Sequence, residues 1–148
     1  MPFVEQPSSG TISNTPADKV SQETLAILDQ HEASMRSNDP DTIAADYSED
    51  VILLLSFVPK PIIGKAAQKA FLVELFGAAK GKSVFDVVLK DIGGTPSQPR
   101  MLRREAVGNY AYLIADLGIA ILTETYVMRD GKIVFESVTV SPKPAAEK

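Results

Sequence analysis

The sequence predicts an α+β domain in which three amino-terminal helices cover one face of a curved antiparallel sheet. Three observations carry that prediction. Apolar residues recur at helical spacing from Val20 to Asn38. The stretch from Asn38 to Leu75 reads short helix, acidic turn, apolar strand, glycine, helix. Beyond Ser83, short β-rich runs alternate with turn signals and end on Asp130-Gly131. Helices first and strands afterwards is the order of an α+β domain, not of alternating β–α units.

Taken in order, Val20, Thr24, Leu28, His31 and Met35 form one face of the first helix, so the single histidine sits on the side expected to be buried. Asp39 is a good N-cap, Pro40 suits the first helical position, and Asp41 places negative charge at the positive helix end. A helix over Asp41–Ser48 should follow, then a strand over Val51–Val58 that Pro59 and Pro61 break. A third helix is expected from about Lys65 to Ala79, packing through Ala67, Phe71, Leu75 and Leu72. Strands are expected over Val84–Asp91, Met101–Val107, Tyr110–Leu117, Ile119–Arg129 and Lys132–Val140. Asp130-Gly131 makes the last pair a tight hairpin. Ile52, Leu54, Phe71 and Leu75 are expected in the core. The expected division is an arm over 1–19, one domain over 20–140, and a tail over 141–148.

Composition excludes several function classes. The chain has 148 residues, no cysteine and one histidine, with 15 Lys plus Arg against 19 Asp plus Glu. Disulfides, thiolate chemistry and zinc–sulfur or His-rich metal sites are therefore excluded, and no metal or other cofactor is expected. A net charge of −4 argues against nucleic acid, which needs a basic face. No run approaches the ~20 apolar residues of a membrane span. The polar start has no apolar signal region, so a cytoplasmic protein is expected. Gly81-Lys82-Ser83 imitates the end of a phosphate-binding loop. Phe76 stands where that motif needs glycine, and the order of elements is reversed.

The Asp39–Gly64 segment, together with the Tyr126-Val-Met-Arg-Asp-Gly-Lys-Ile-Val hairpin, resembles the nuclear-transport-factor-2-like superfamily. The resemblance is closest to its polyketide-cyclase-like (SnoaL-like) and ketosteroid-isomerase-like group, and it covers about Val20 to Val140. It implies a cone-shaped sheet wrapped around three helices, with an internal pocket for a small apolar molecule and pairing into a homodimer. Strands with apolar residues on both faces, such as Tyr110–Leu117, agree with a covered outer face.

The resemblance also implies site positions. His31 takes the place of a tyrosine on the first helix of the isomerases. Glu124 is the counterpart of their inward acid on the penultimate strand. Their catalytic carboxylate at the end of the first strand has no equivalent in Leu53-Leu54-Leu55-Ser56. Asp116, a carboxylate inside an apolar run, needs a partner or a raised pKa. His31, Glu124 and Asp116 are thus the candidate catalytic groups, with Tyr47, Leu55, Tyr112, Tyr126 and Met128 lining the pocket. Two function classes stay open: an acid–base isomerase, cyclase or lyase, and a non-catalytic ligand-binding or dimerisation domain.

Overall fold

The computed structural model describes residues 18–144. The arm expected over 1–19 lies outside them except for Asp18 and Lys19, as do the last four residues of the tail. The first helix, α1 (Lys19–Arg36), is capped by Asp18, whose carboxylate accepts from the Ser21 amide at 2.8 Å. It ends just before Asn38, which turns to a φ of 54°. The buried stripe is Ser21, Thr24, Leu28, His31 and Ser34. Its amino-terminal part is polar for a reason. Ser21 Oγ accepts from the Gly108 amide at 2.8 Å, and Thr24 Oγ1 donates to the Gly108 carbonyl at 2.6 Å. Two hydroxyls thus tie the helix to a distant turn, while Val20 remains exposed.

Next come α2 (Pro40–Ala44), β1 (Tyr47–Leu55), β2 (Ile62–Ile63) and α3 (Lys65–Ala79). The expected second helix is shorter than its sequence suggested, and β1 begins at Tyr47 rather than Val51. Ile52 and Leu54 correct the expected core: they are 40% and 43% exposed, while Val51, Leu53 and Leu55 turn inward. Five apolar residues in succession have no alternation to set their phase. That phase comes from pairing with the last strand. On α3, Gln68, Leu72 and Ala79 take the buried positions, Phe71 and Leu75 are half-buried, and Ala67 is exposed.

A fourth helix, α4 (Val84–Val88), stands where a strand was expected. Its β-branched residues favour a strand, but local and tertiary terms win. Ser83 caps the helix by accepting from the Phe85 amide at 3.2 Å, and Asp86 sits in the first turn. Helical spacing also lets Val84, Phe85 and Val88 face one cavity together.

The remaining strands are β3 (Arg100–Val107), β4 (Tyr110–Asp116), β5 (Ala120–Arg129) and β6 (Lys132–Pro142). β6 thus runs into the expected tail. One six-stranded sheet forms in the order β2-β1-β6-β5-β4-β3, curved and unclosed. It is antiparallel except for the β1–β6 pair, which is parallel. The hairpin over Asp130 and Gly131, both at positive φ, joins β5 to β6. A register shift then leaves Val134 as an extra residue on β6, since Met128 pairs with Ile133 but Val127 with Phe135. Ile133, Glu136 and Val138 all point inward in consequence. No helix among the described residues is long and apolar enough to cross a membrane.

Candidate functional site

A cavity of about 100 Å³ lies between the concave face of the sheet and α1, α3 and α4. Its walls are mostly apolar: Leu53 and Leu55 from β1, Phe71 and Leu72 from α3, Phe85 from α4, Leu122 from β5 and Val138 from β6. Five polar side chains interrupt them, namely His31, Tyr47, Gln68, Glu124 and Glu136. A wider cleft of about 350 Å³, bordered by Arg36, Met101 and Tyr126, shares His31 and Glu124 with the cavity. These two groups stand where the two spaces meet.

His31 is held at both nitrogens. Nδ1 lies 3.1 Å from Asp46 Oδ2, while Nε2 lies 3.3 Å from Tyr47 Oη and 3.8 Å from Glu136 Oε1. The Tyr47 hydroxyl donates to Glu136 Oε1 in a short hydrogen bond. An imidazolium satisfies the whole chain: Nδ1–H donates to Asp46, Nε2–H donates to Tyr47, and Tyr47 donates to Glu136. Tyr47 and Tyr126 pack edge-on against the ring at 5.3 and 5.8 Å between centroids. Tyr126 donates to Glu124 Oε1 at 3.0 Å. Asp46 reaches the histidine because its segment is pinned to the terminal hairpin. The Ile133 amide donates to the Asp46 carbonyl at 2.9 Å, and Lys132 Nζ donates to the Ala45 carbonyl at 2.6 Å.

The electrostatics follow from one cation among three carboxyl groups. Burial opposes charge on His31, but the Asp46 hydrogen bond and the charges of Glu136, Glu124 and Asp46 outweigh it and raise its pKa. Burial first, and then the neighbouring Glu136 charge, push Glu124 up to about 7. Glu136 is raised by burial, against the pull of His31 and Tyr47. Tyr47 and Tyr126 are pushed well above the phenol range, chiefly by burial.

No protein-family model matches the sequence, and no curated protein matches it. Solved structures do match the fold. An NTF2-like protein of unknown function from Burkholderia xenovorans is similar at a TM-score of 0.58 and 18% identity, over 85% of this chain and 88% of that one. A candidate ketosteroid isomerase from Kribbella flavida is similar at 0.57 and 18%, over 86% and 84%. An LEH-like epoxide hydrolase from Mycobacterium tuberculosis is similar at 0.53 and 13%, over 82% and 84%. The chain has the NTF2-like fold. At these identities the likeness is one of architecture, and chemistry must be argued from this chain's own residues.

Within the NTF2-like cone, the candidate residues divide. His31, Glu124, Tyr47 and Leu55 border the cavity, and Tyr126 borders the adjoining cleft. Asp116 is a correction. It sits at the end of β4, outside the lining of either space, where its carboxylate meets Arg100 at 3.0 Å, Lys143 at 3.2 Å and the Gly118 amide at 2.8 Å. Its pKa is lowered, first by the Gly118 amide and then by Lys143 and Arg100. The partner it required is thus a surface cluster. Tyr112 is a second correction. It pairs with Thr125, on the opposite face from Tyr126, and its hydroxyl donates to Glu105 at 2.5 Å. Met128 is buried in the core beyond the cavity lining.

Sequence reasoning missed Asp46, Glu136 and Gln68. Asp46 fell inside an expected helix that ends at Ala44. Glu136 interrupts an apolar strand, which was a usable signal. An unbulged hairpin, however, would have paired it with Thr125 and turned it outward; the extra residue at Val134 reverses that.

A pH dependence of stability follows. The folded state raises the pKa of His31, Glu124 and Glu136, so it binds protons more tightly than the unfolded chain. The stability they contribute is complete below the unfolded values, ~4.3 for Glu and ~6.5 for His, and is lost as pH rises through the folded values. Asp39, Asp50 and Asp116 are depressed and act oppositely, losing their contribution as pH falls below ~3.9. The thermal midpoint is therefore expected to peak at pH ~4 and to fall steadily between pH ~5 and pH ~8. A midpoint that is flat or rises over that interval would contradict the assignment.

Proposed function

We propose that the cavity binds a small, mainly apolar, carbonyl-bearing molecule and that Glu124 transfers a proton on it, as an acid–base isomerase, cyclase or lyase does. The observation that carries this reading is the Glu124 carboxyl on the wall of a mostly apolar cavity, beside His31 and with a pKa of about 7. A carboxyl of that pKa is about half ionised at neutral pH, so it suits both taking a proton and returning it. The His31 imidazolium, oriented by Asp46, offsets the negative charge gathered there. Glu136 and Tyr47 connect to the same ring and hold it in place. The isomerase and hydrolase names among the similar folds are compatible with this class of chemistry.

A second reading is a binding domain without catalysis. The absence of a carboxylate at the end of β1, where Leu55 and Ser56 stand, favours it. In either case the half-exposed Ile52 and Leu54 on the outer sheet face suit pairing of two copies. Such pairing would give a sedimentation mass near twice 15.9 kDa. The deciding experiment incubates the protein with cyclic ketones in D2O and follows deuterium at the α-carbon by mass spectrometry. Exchange well above the protein-free rate supports the enzyme. Binding without exchange selects the second reading, and no binding of any ketone removes both ligand readings.

A further inference from the structure

Gln68 carries the inference furthest. It lies on α3, is fully buried, and lines the cavity, yet neither Oε1 nor Nε2 meets a hydrogen-bond partner among the described residues. Buried carboxamides are normally satisfied, because leaving both ends unpaired forfeits their hydration. Gln68 stands one turn before the buried Leu72, where an apolar side chain would fill the space without that loss. The amide therefore needs another explanation, and its place on the cavity wall supplies one.

We propose that Gln68 is the anchoring group for the ligand, and that it recognises a neutral planar group presenting a donor and an acceptor side by side. A lactam or a cyclic imide has this pattern. A glutamine amide offers one N–H and one carbonyl lone pair along the same edge, so such a group closes two parallel hydrogen bonds. A carboxylate fits worse. It would leave Oε1 without a donor, and it would add charge to a cavity already bordered by Glu124 and Glu136. A simple ketone would satisfy Nε2 alone. The proposal rests on the reading of the cavity as a ligand site, and it narrows the ligand's chemistry.

Three rings of similar size test it: δ-valerolactam, cyclohexanone and methylcyclohexane, titrated into ¹⁵N-labelled protein with the Gln68 side-chain amide as reporter. The lactam is expected to bind at least about tenfold more tightly than cyclohexanone and to shift the Gln68 amide resonance. In Gln68→Leu that preference should vanish, while the affinity for methylcyclohexane stays within about twofold. Gln68→Met serves the same comparison if leucine disturbs the packing of α3. Equal binding of all three by the unaltered protein overturns the anchoring role alone, as does a lactam preference that survives both substitutions. If none of the three binds, the ligand-site reading falls and this proposal falls with it.

Discussion

Glu124→Gln is expected to slow proton exchange on a bound ketone by about 10²–10⁴-fold, the usual worth of a positioned general base. The substitution is nearly isosteric, and its amide oxygen can still accept from Tyr126. Ketone affinity should therefore change by no more than a few-fold, so the loss would appear in turnover rather than in binding. Stability should move the other way. Folding raises this carboxyl from its ordinary 4.5 to about 7, so the ionised group disfavours the folded state by up to about 3 kcal/mol above pH 7. The glutamine variant should be the more stable protein at pH 8 and should flatten the fall in thermal midpoint between pH 5 and pH 8. Exchange that stays within about threefold of the unaltered rate would take the base away from Glu124 and leave His31 as the remaining candidate.

His31→Leu is expected to have the largest effect on stability, a loss of about 3–5 kcal/mol at pH 7. The imidazolium is the cation that Asp46, Glu136 and Glu124 share, and it is 3% exposed. Without it, one carboxylate loses its hydrogen-bonded partner and the other two lose a compensating charge. Domains of this kind are stable by only ~5–15 kcal/mol, so the variant should unfold at clearly lower urea. Lowering the pH to 5 should restore part of the loss, because Glu124 and Glu136 can then take up protons. A loss below about 1 kcal/mol, unchanged between pH 5 and pH 7, would mean that the cluster relaxes into solvent and is not an electrostatic unit.

Local signals in the sequence translated well. The cap at Asp39, the stripe that buries Leu28 and His31, and the Asp130-Gly131 hairpin each depend on residues a few positions apart, and each stands in the structure. What failed depended on distant partners. The inward phase of β1 is set by pairing Leu53 with Glu136 and Leu55 with Val138. The helix at Val84–Val88 draws on a cavity built by other elements. In the site, His31 was legible because its own helix places it. Glu136 was hidden behind a one-residue bulge, and Asp46 behind a helix that stops early. Asp116 attracted notice through its apolar neighbours in sequence, whereas Arg100 and Lys143, which neutralise it, lie on other segments.

The parallel pairing of β1 with β6 has a consequence for how the site comes into being. β3 to β6 form a meander of hairpins, each joining residues close in sequence. β1 meets them only along β6, and the Tyr47–Glu136 hydrogen bond across that seam spans 89 residues. Contacts of such long range are slow to form and come after the local hairpins. The polar cluster is therefore assembled when the two halves of the chain dock, and it opens when they part. A molecule seated between Leu53 on one side of the seam and Glu124 on the other would touch both halves. Its binding energy would add directly to the free energy that keeps them closed. In that sense the ligand would act as a clasp across the seam of the sheet that joins segments distant in sequence.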